Sequence, residues 1–321
     1  MFSYSEKDLD NLMQELFDYL NKRSPYLMIF GVILGLTSPK TAELVRPYVV
    51  EISVLMAIIS MLRIDPLKLF SVFRRPLLVI ITMFFVLIIL PSTTFLICRT
   101  IGFSNWITTG LTFASAAPPL SSAAAFALLV RIDPAMVTGL SIPTTLMAPV
   151  SVWFLISTLP TLGEGVELSG LIFRLSAIII GSLSFALLFR NFIGAKRVEA
   201  WRVKIDALTV VLVTIIAIGV MHEIGLAMRS HTFNLLLIVF LAAIISYGSL
   251  GLSIAIFWLM GKEEAFAVGL LSSVKNMAIM VAAVIDVVEP MIALVVICAQ
   301  LPIFFSPLVM RMIFGYFQKK G

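Results

Sequence analysis

Long apolar runs divide the chain and constrain its fold more than any other feature. Most of the 321 residues fall into apolar stretches of roughly 18 to 25 residues, each long enough to cross about 30 Å of hydrocarbon as an α-helix. Only 13% of the residues are charged and 60% are hydrophobic, whereas soluble domains average about 25% charged residues. The sequence therefore predicts an all-α polytopic membrane protein.

The apolar runs predict ten membrane spans. They cover residues 26–36, 44–62, 77–98, 106–130, 135–159, 171–192, 205–221, 233–260, 265–285 and 291–314. The first run is short for a crossing. Five spans in each half divide the chain into an N-terminal segment at residues 1–24, a first five-helix repeat at 25–160 and a second at 161–321. With an odd number of spans, the two repeats would have opposite orientations in the membrane.

Basic residues cluster in alternate loops, which predicts the orientation of the chain. Lysine and arginine accumulate in cytoplasmic loops, and clusters at residues 22–23, 63–75 and 190–204 fall on one side of the ten-span arrangement. Both termini are therefore expected in the cytoplasm, with the protein in a plasma (inner) membrane. This distribution also accounts for the formal net charge of +5, so we expect the lipid bilayer, and no nucleic acid, as a partner.

The N-terminal residues predict an amphipathic helix at the membrane surface. Between residues 6 and 23, leucine, methionine and phenylalanine recur at helical spacing, and acidic residues fill the opposite face. Five acidic residues within the first twenty and no basic stretch before an apolar run argue against a cleaved signal. The helix is expected to anchor the chain to the membrane surface or to dock a partner.

The sequence contains no pattern that predicts catalysis or cofactor binding. Cys98 and Cys298 are isolated, and His222 and His231 lack the spacing of metal ligands. The spans contain no HExxH motif and no Ser/His dyad. We therefore expect a protein that is not an enzyme and holds no cofactor or metal.

Two polar interruptions within apolar runs indicate a binding site. The first is a break at Pro118, Pro119, Ser121 and Ser122, followed by a span interrupted at residues 143–145. The second, at residues 272–276, is followed by a span interrupted at residues 300–302 and at Pro307. Interrupted helices at matching positions of two repeats indicate the binding site of a transporter. The predicted substrate- or ion-binding residues are Pro118, Pro119, Ser121, Ser122, Ser141, Thr144, Thr145, Ser272, Ser273, Lys275, Asn276 and Gln300.

Lys275 lies near the middle of an apolar run, where a charge costs a few kcal/mol unless it faces water or a partner. It is expected either to supply a positive charge at a substrate site or to pair internally for structure. Glu51 and Asp206 occupy comparable places in the two halves and are possible counter-ions.

The two interrupted segments resemble those of the bile acid:sodium symporter family. Residues 116–149, AAPPLSSAAAFALLVRIDPAMVTGLSIPTTLMAP, resemble its fourth and fifth helices, and residues 269–284, GLLSSVKNMAIMVAAV, resemble its ninth. The Arg74-Arg75-Pro76 entry to the third span and the ten-span arrangement add to the resemblance. It implies a core of spans three to five and eight to ten with crossing helices four and nine, beside a panel of the other four. Substrate would bind between core and panel.

The sodium ligands implied by that resemblance are absent from this sequence. Ala123 and Ala124 occupy the positions of a Ser-Asn pair, Val137 replaces a hydroxyl while Ser141 retains one, and Leu271 and Lys275 replace Glu and Gln. Apolar side chains cannot coordinate a hard cation. The expectation is therefore a sodium-independent transporter of a small organic anion, with the Lys275 ammonium in place of a bound cation.

Three alternatives remain open at the level of sequence. The first is a proton-coupled carrier in which desolvation makes Lys275 release its proton. The second is a carrier that keeps sodium coupling through other ligands. The third is a non-transporting membrane receptor or scaffold of the same fold.

Overall fold

The computed structural model describes residues 6–62, 75–120, 123, 127 and 131–318, and within these the regular structure is helical. The first half of the chain contains α1 (Glu6–Lys22), α2 (Ser24–Thr37), α3 (Pro39–Val45), α4 (Val49–Met61), α5 (Pro76–Phe84), α6 (Leu90–Ile101), α7 (Asn105–Ala116) and α8 (Pro134–Thr158). The second half contains α9 (Leu168–Ile193), α10 (Ala195–Ala200), α11 (Arg202–Phe257), α12 (Lys262–Ser273), α13 (Met277–Val284), α14 (Pro290–Cys298) and α15 (Gln300–Gln318).

Six helical stretches are long and apolar enough to cross a membrane. They are Pro39–Met61, Pro76–Ile101, Pro134–Thr158, Leu168–Ile193, Arg202–Met228 and Leu235–Met260, and two shorter apolar helices, Ser24–Thr37 and Pro290–Ser306, accompany them. The predicted polytopic helical character is thereby confirmed. The ten-span, five-plus-five arrangement stays a prediction, because the first, fourth, ninth and tenth spans are short or interrupted helices in the described chain.

The seventh and eighth predicted spans lie in one continuous helix, α11, which contains two of the long apolar stretches. Its first stretch lines one cavity through Val220, together with Ile297, and its second lines another through Ser246, together with Ala299.

The third predicted span is helical throughout but changes its hydrogen-bonding pattern in the middle. Between α5 and α6, residues Phe85–Ile89 form a π-helix. In contrast, the predicted interruption at residues 143–145 is wrong, because α8 runs through Pro143 and Pro149 without a break. A helix packed among other helices in a membrane tolerates proline when its neighbours satisfy the freed backbone groups.

Close backbone contacts hold the bundle together. Gly31 in α2 and Gly110 in α7 leave no room for a side chain: a Cβ on Gly31 would lie 2.7 Å from the carbonyl oxygen of Thr214, and one on Gly110 would lie 2.4 Å from the Cβ of Val295. Small residues that allow such approach are typical of helix interfaces in membranes. The resulting α2–α11 and α7–α14 interfaces join the two halves of the chain.

Polar contacts tie elements together at the end of the bundle that is predicted to be cytoplasmic. Asn21 at the end of α1 donates from Nδ2 to the carbonyl oxygen of Val203 at 3.1 Å, and Arg75 pairs with Glu264 at 2.6 Å. Within the described part of α1, Met13, Leu16 and Tyr19 are exposed, as an amphipathic helix at a membrane surface requires.

Candidate functional site

The two predicted breaks meet in the middle of the structure. Helix α7 ends at Ala116 and α12 at Ser273, and the extended segments that follow cross as an antiparallel bridge between Pro119 and Lys275. Two backbone hydrogen bonds close the crossing: Leu120 N to Val274 O at 2.9 Å, and Asn276 N to Pro118 O at 2.7 Å. We call this bridge the crossover.

The residue types at the crossover explain why regular helix stops there. Pro118 and Pro119 carry no N–H and cannot continue the helix that ends at Ala116. The backbone groups that each break releases would be costly in an apolar interior, and the opposite strand satisfies them. Each break therefore stabilises the other.

Lys275 is buried at the crossover, with 4% of its surface exposed. Its Nζ lies 3.5 Å from the carbonyl oxygen of Val86, which is long for a hydrogen bond. An ammonium can donate three hydrogen bonds, so the described residues leave most of this capacity unused. None of the ion pairs in the described part of the chain includes Lys275.

The acceptor carbonyl is released by the π-helix between α5 and α6. Leu90 would bond to the carbonyl of Val86 in an α-helix, but its N–H bonds to the carbonyl of Phe85 instead. The next residue is Pro91, which has no N–H. The Val86 carbonyl is thus left without a helical donor and is available to Lys275.

A small cavity adjoins the crossover between α7, α11 and the α14–α15 junction. Its wall contains Lys275 and the hydroxyl residues Ser115, Ser246 and Ser272. The remaining lining residues are Leu111, Ala114, Ala242, Ile245, Met277, Ala299 and Ile303. Hydroxyls beside a buried ammonium provide the groups that recognise a carboxylate or another small anion.

Serines of α11 form a network at the crossover that sequence reasoning missed. Ser253 Oγ lies 2.8 Å from Ser272 Oγ, and Ser249 Oγ donates to the Ser272 carbonyl at 3.0 Å. The signal was present, because Ser246, Ser249 and Ser253 recur at helical spacing inside an apolar run. They lie outside the interrupted segments that predict the site.

Several predicted site residues are buried with unpaired polar atoms. Asn276 caps α13 through a 3.4 Å bond from Ile279 N to its Oδ1, whereas its Nδ2 has no partner in the described structure. Gln300 Oε1, at the start of α15, is also unpartnered there. Ser273 and Thr144 bond to carbonyls of their own helices. Unpaired buried polar atoms are uncommon in folded proteins, and a bound water or solute is one way to satisfy them.

Not every predicted site residue comes near Lys275. Ser141 and Thr145 line a separate small cavity with Met61 and Leu183, between α8, α4 and α9. Ser121 and Ser122 lie outside the described residues.

Neither possible counter-ion pairs with Lys275 in the described structure, where the ammonium approaches a carbonyl instead. Glu51 is exposed and lines a shallow, otherwise apolar groove with Tyr48 and Ile215. Asp206 lies in the first turns of α11, and neither carboxylate forms an ion pair with Lys275.

The positions that would carry sodium ligands form an apolar cluster. Ala123, Val137 and Leu271 are fully buried and pack together with Val274 and Leu140. Ala124 lies outside the described residues. The described side chains of this cluster contain no oxygen atom with which to bind a cation.

A second, larger cavity opens at the opposite end of the bundle from the Arg75–Glu264 pair. It has a volume of about 410 Å³ and separates α4 and α11 from α13 and α14. Arg46 and Glu223 form an ion pair at its edge, and Asp286 lies on the facing side. We call it the outer cavity, since this end is predicted to be extracytoplasmic.

Searches against models of known protein families and against curated protein sequences return no match to this chain. The described residues also contain no group of three or more His, Cys, Asp or Glu side chains placed to hold a metal ion.

Proposed function

We propose that this protein is a secondary transporter that moves a small organic anion across a plasma membrane by alternating access, without sodium. The observation that carries the proposal is the crossover: two broken helices meet inside an apolar bundle and place a buried ammonium beside a small cavity with three serines in its wall. Charged residues inside membrane spans face a cavity or a partner and mark transport pathways.

The resemblance to the bile acid:sodium symporter family supports the same proposal, including its core, its panel and its inverted repeat. The outer cavity lies where substrate would enter between core and panel, and its size is that of a small-molecule site. With both termini in the cytoplasm, this entrance faces outward.

Independence from sodium is supported by the apolar cluster of Ala123, Val137 and Leu271. In our proposal, the Lys275 ammonium carries the positive charge that a bound cation would supply. It lies next to the ends of α7 and α12, where helix C-termini carry partial negative charge. In a proton-coupled version of this mechanism, Lys275 releases its proton during the transport cycle. Uptake driven by a pH gradient tests that version.

A membrane scaffold would gain nothing from a buried ammonium with unsatisfied hydrogen-bonding capacity. Such a protein is expected to seal and pair Lys275. The side chain is sealed, with 4% of its surface exposed, but the one hydrogen bond of its ammonium to a described residue is a 3.5 Å approach to a carbonyl. The missing charge partner, and not exposure, favours transport.

Uptake into liposomes tests the proposal. The purified protein is reconstituted, and uptake of a panel of small organic acids, among them zwitterionic acids, is followed with sodium, potassium and pH gradients varied separately. We expect uptake that does not require sodium and that Lys275→Ala abolishes, while the exposed Lys262→Ala leaves it unchanged. Sodium-stimulated uptake would contradict the proposed independence, and equal uptake by both variants would contradict the role of Lys275.

A further inference from the structure

The outer cavity has apolar walls and a charged rim. Val49 and Val50 of α4 and Val220 of α11 face Leu294 and Ile297 of α14. Its charged lining residues within the described chain are Arg46, Glu223 and Asp286. The cavity therefore suits a solute with an apolar body and a polar group near the outer end.

The charges at the rim do not cancel. Arg46 is bound through Nε to the Glu223 carboxylate, so these two residues neutralise each other. Asp286 on the facing side forms no ion pair with any described residue. Arg174 lies behind the same turn, where it donates to the carbonyl of Ile285, and is not part of the cavity wall. The lining carries one net negative charge.

The backbone places Asp286 at the rim. Helix α13 ends at Val284, and the chain turns at Asp286 with φ of 65°. Aspartate and asparagine are among the few side chains that accept this left-handed conformation. Replacing Asp286 by asparagine therefore removes the charge while keeping the shape and the backbone conformation, so the effect of the charge can be measured.

We propose that the outer cavity selects solutes that carry a cationic group, recognised by Asp286. One consequence of this inference rests on the transport function proposed above. If the protein transports an acid, that acid is a zwitterion with an apolar body rather than a simple anion. The acidic group is recognised by Lys275 at the crossover. The two sites adjoin, because Ile297 lines the outer cavity and Ala299 lines the crossover cavity.

Charged thiol reagents measure this preference without a known substrate. Ala293 lines the outer cavity and is half-buried, so Ala293→Cys introduces a small, reachable thiol. Cys98 and Cys298 are buried and unpaired and are replaced by alanine to remove any background. The thiol is then modified with trimethylammonioethyl or sulfonatoethyl methanethiosulfonate, which differ in charge and share one reactive group.

We expect the ratio of cationic to anionic modification rates to exceed that of 2-mercaptoethanol by about threefold or more. The Asp286 carboxylate at the rim acts on the two reagents in opposite directions, and the Arg174 guanidinium at the carbonyl of Ile285 offsets part of its field. Asp286→Asn should return the ratio to the value for 2-mercaptoethanol. Arg46→Gln should raise it further, because Glu223 is then unpaired. Ser104→Cys, an exposed position at the same end and outside the cavity, controls for general surface charge.

A ratio at or below that of 2-mercaptoethanol, or one that Asp286→Asn leaves unchanged, would overturn the inference, as would a thiol that neither reagent reaches. Failure of the transport proposal can be told apart from failure of this inference. Cation preference in the thiol assay without uptake of any acid would remove the transport function alone. Uptake of simple anions by a protein whose cavity favours the anionic reagent would remove the inference and leave transport standing.

Discussion

Replacing Gly110 by alanine tests the tightest contact between the two halves of the chain. A Cβ at this position in α7 would lie 2.4 Å from Val295 Cβ, 2.6 Å from its Cγ1 and 3.1 Å from the carbonyl oxygen of Ile292. Carbon atoms in ordinary contact are about 3.5–4.0 Å apart, so α7 and α14 would have to separate by about 1 Å. Overpacking of this kind costs about 1–3 kcal/mol, against a gain of about 1 kcal/mol in helix propensity.

We therefore expect Gly110→Ala to lower the free energy of unfolding by up to about 2 kcal/mol. Relative to a glycine-to-alanine change that meets no neighbour, the loss is about 1–3 kcal/mol, which corresponds to a drop in Tm of about 2–6 °C. The assay is thermal unfolding in detergent, followed by tryptophan fluorescence. Gly181→Ala is the matched control, because Gly181 is an exposed residue in the middle of α9 and a Cβ there meets nothing within 4 Å. This control should match wild type or exceed it slightly.

The partner residue sharpens the test. Val295→Ala keeps the Cβ that makes the closest contact and should not rescue Gly110→Ala, whereas Val295→Gly removes it and should show a favourable coupling energy in a double-mutant cycle. If Gly110→Ala were as stable as the Gly181→Ala control, the close α7–α14 packing described above would be refuted.

Three further predictions concern the charged residues and the thiols. Removing the Arg75–Glu264 pair should cost under about 1 kcal/mol, because the arginine side chain is 61% exposed; a coupling energy above about 2 kcal/mol in a double-mutant cycle would contradict this. Lys275→Met should leave Tm unchanged or slightly higher while abolishing uptake, because methionine removes a poorly compensated buried charge at similar volume; a fall in Tm of several degrees would indicate a structural role instead. Cys98 and Cys298 should resist maleimide in the folded protein and react fully in dodecyl sulfate, since both thiols are buried; rapid labelling of the native protein would contradict that burial.

The helix breaks were predictable because their causes are local. Pro118 and Pro119 remove two backbone donors, and Lys275 with its polar neighbours is costly within a continuous apolar helix. Both breaks are confirmed, and they lie against each other at the crossover. The same local argument failed at Pro143, because neighbouring helices can satisfy the carbonyls that a proline frees.

The partner of Lys275 was not predictable from charge alone. Sequence reasoning looked for a carboxylate and proposed Glu51 or Asp206, whereas the structure presents the Val86 carbonyl. That carbonyl is free because of a change from α- to π-helical bonding before Pro91. The sequence shows the proline. It does not show that the Val86 carbonyl lies beside Lys275, because that depends on the packing of two helices far apart in the chain.

The outer cavity lay beyond sequence reasoning for a similar reason. Arg46 and Glu223 are 177 positions apart, and Asp286 belongs to a third element. Each residue alone is typical of a helix end near the membrane surface. Only the packing of α4 and α11 against α13 and α14 brings the three residues to one rim.

The central claim, that the crossover cavity is a transport site reached in turn from both sides, is tested most directly by labelling one cysteine. Ser246 lines that cavity and is half-buried. A Ser246→Cys variant without the native cysteines is reconstituted in one orientation and treated with a membrane-impermeant thiol reagent, first outside and then trapped inside the vesicles. The account predicts labelling from both faces. Labelling from one face alone, or from neither, would contradict alternating access at the crossover.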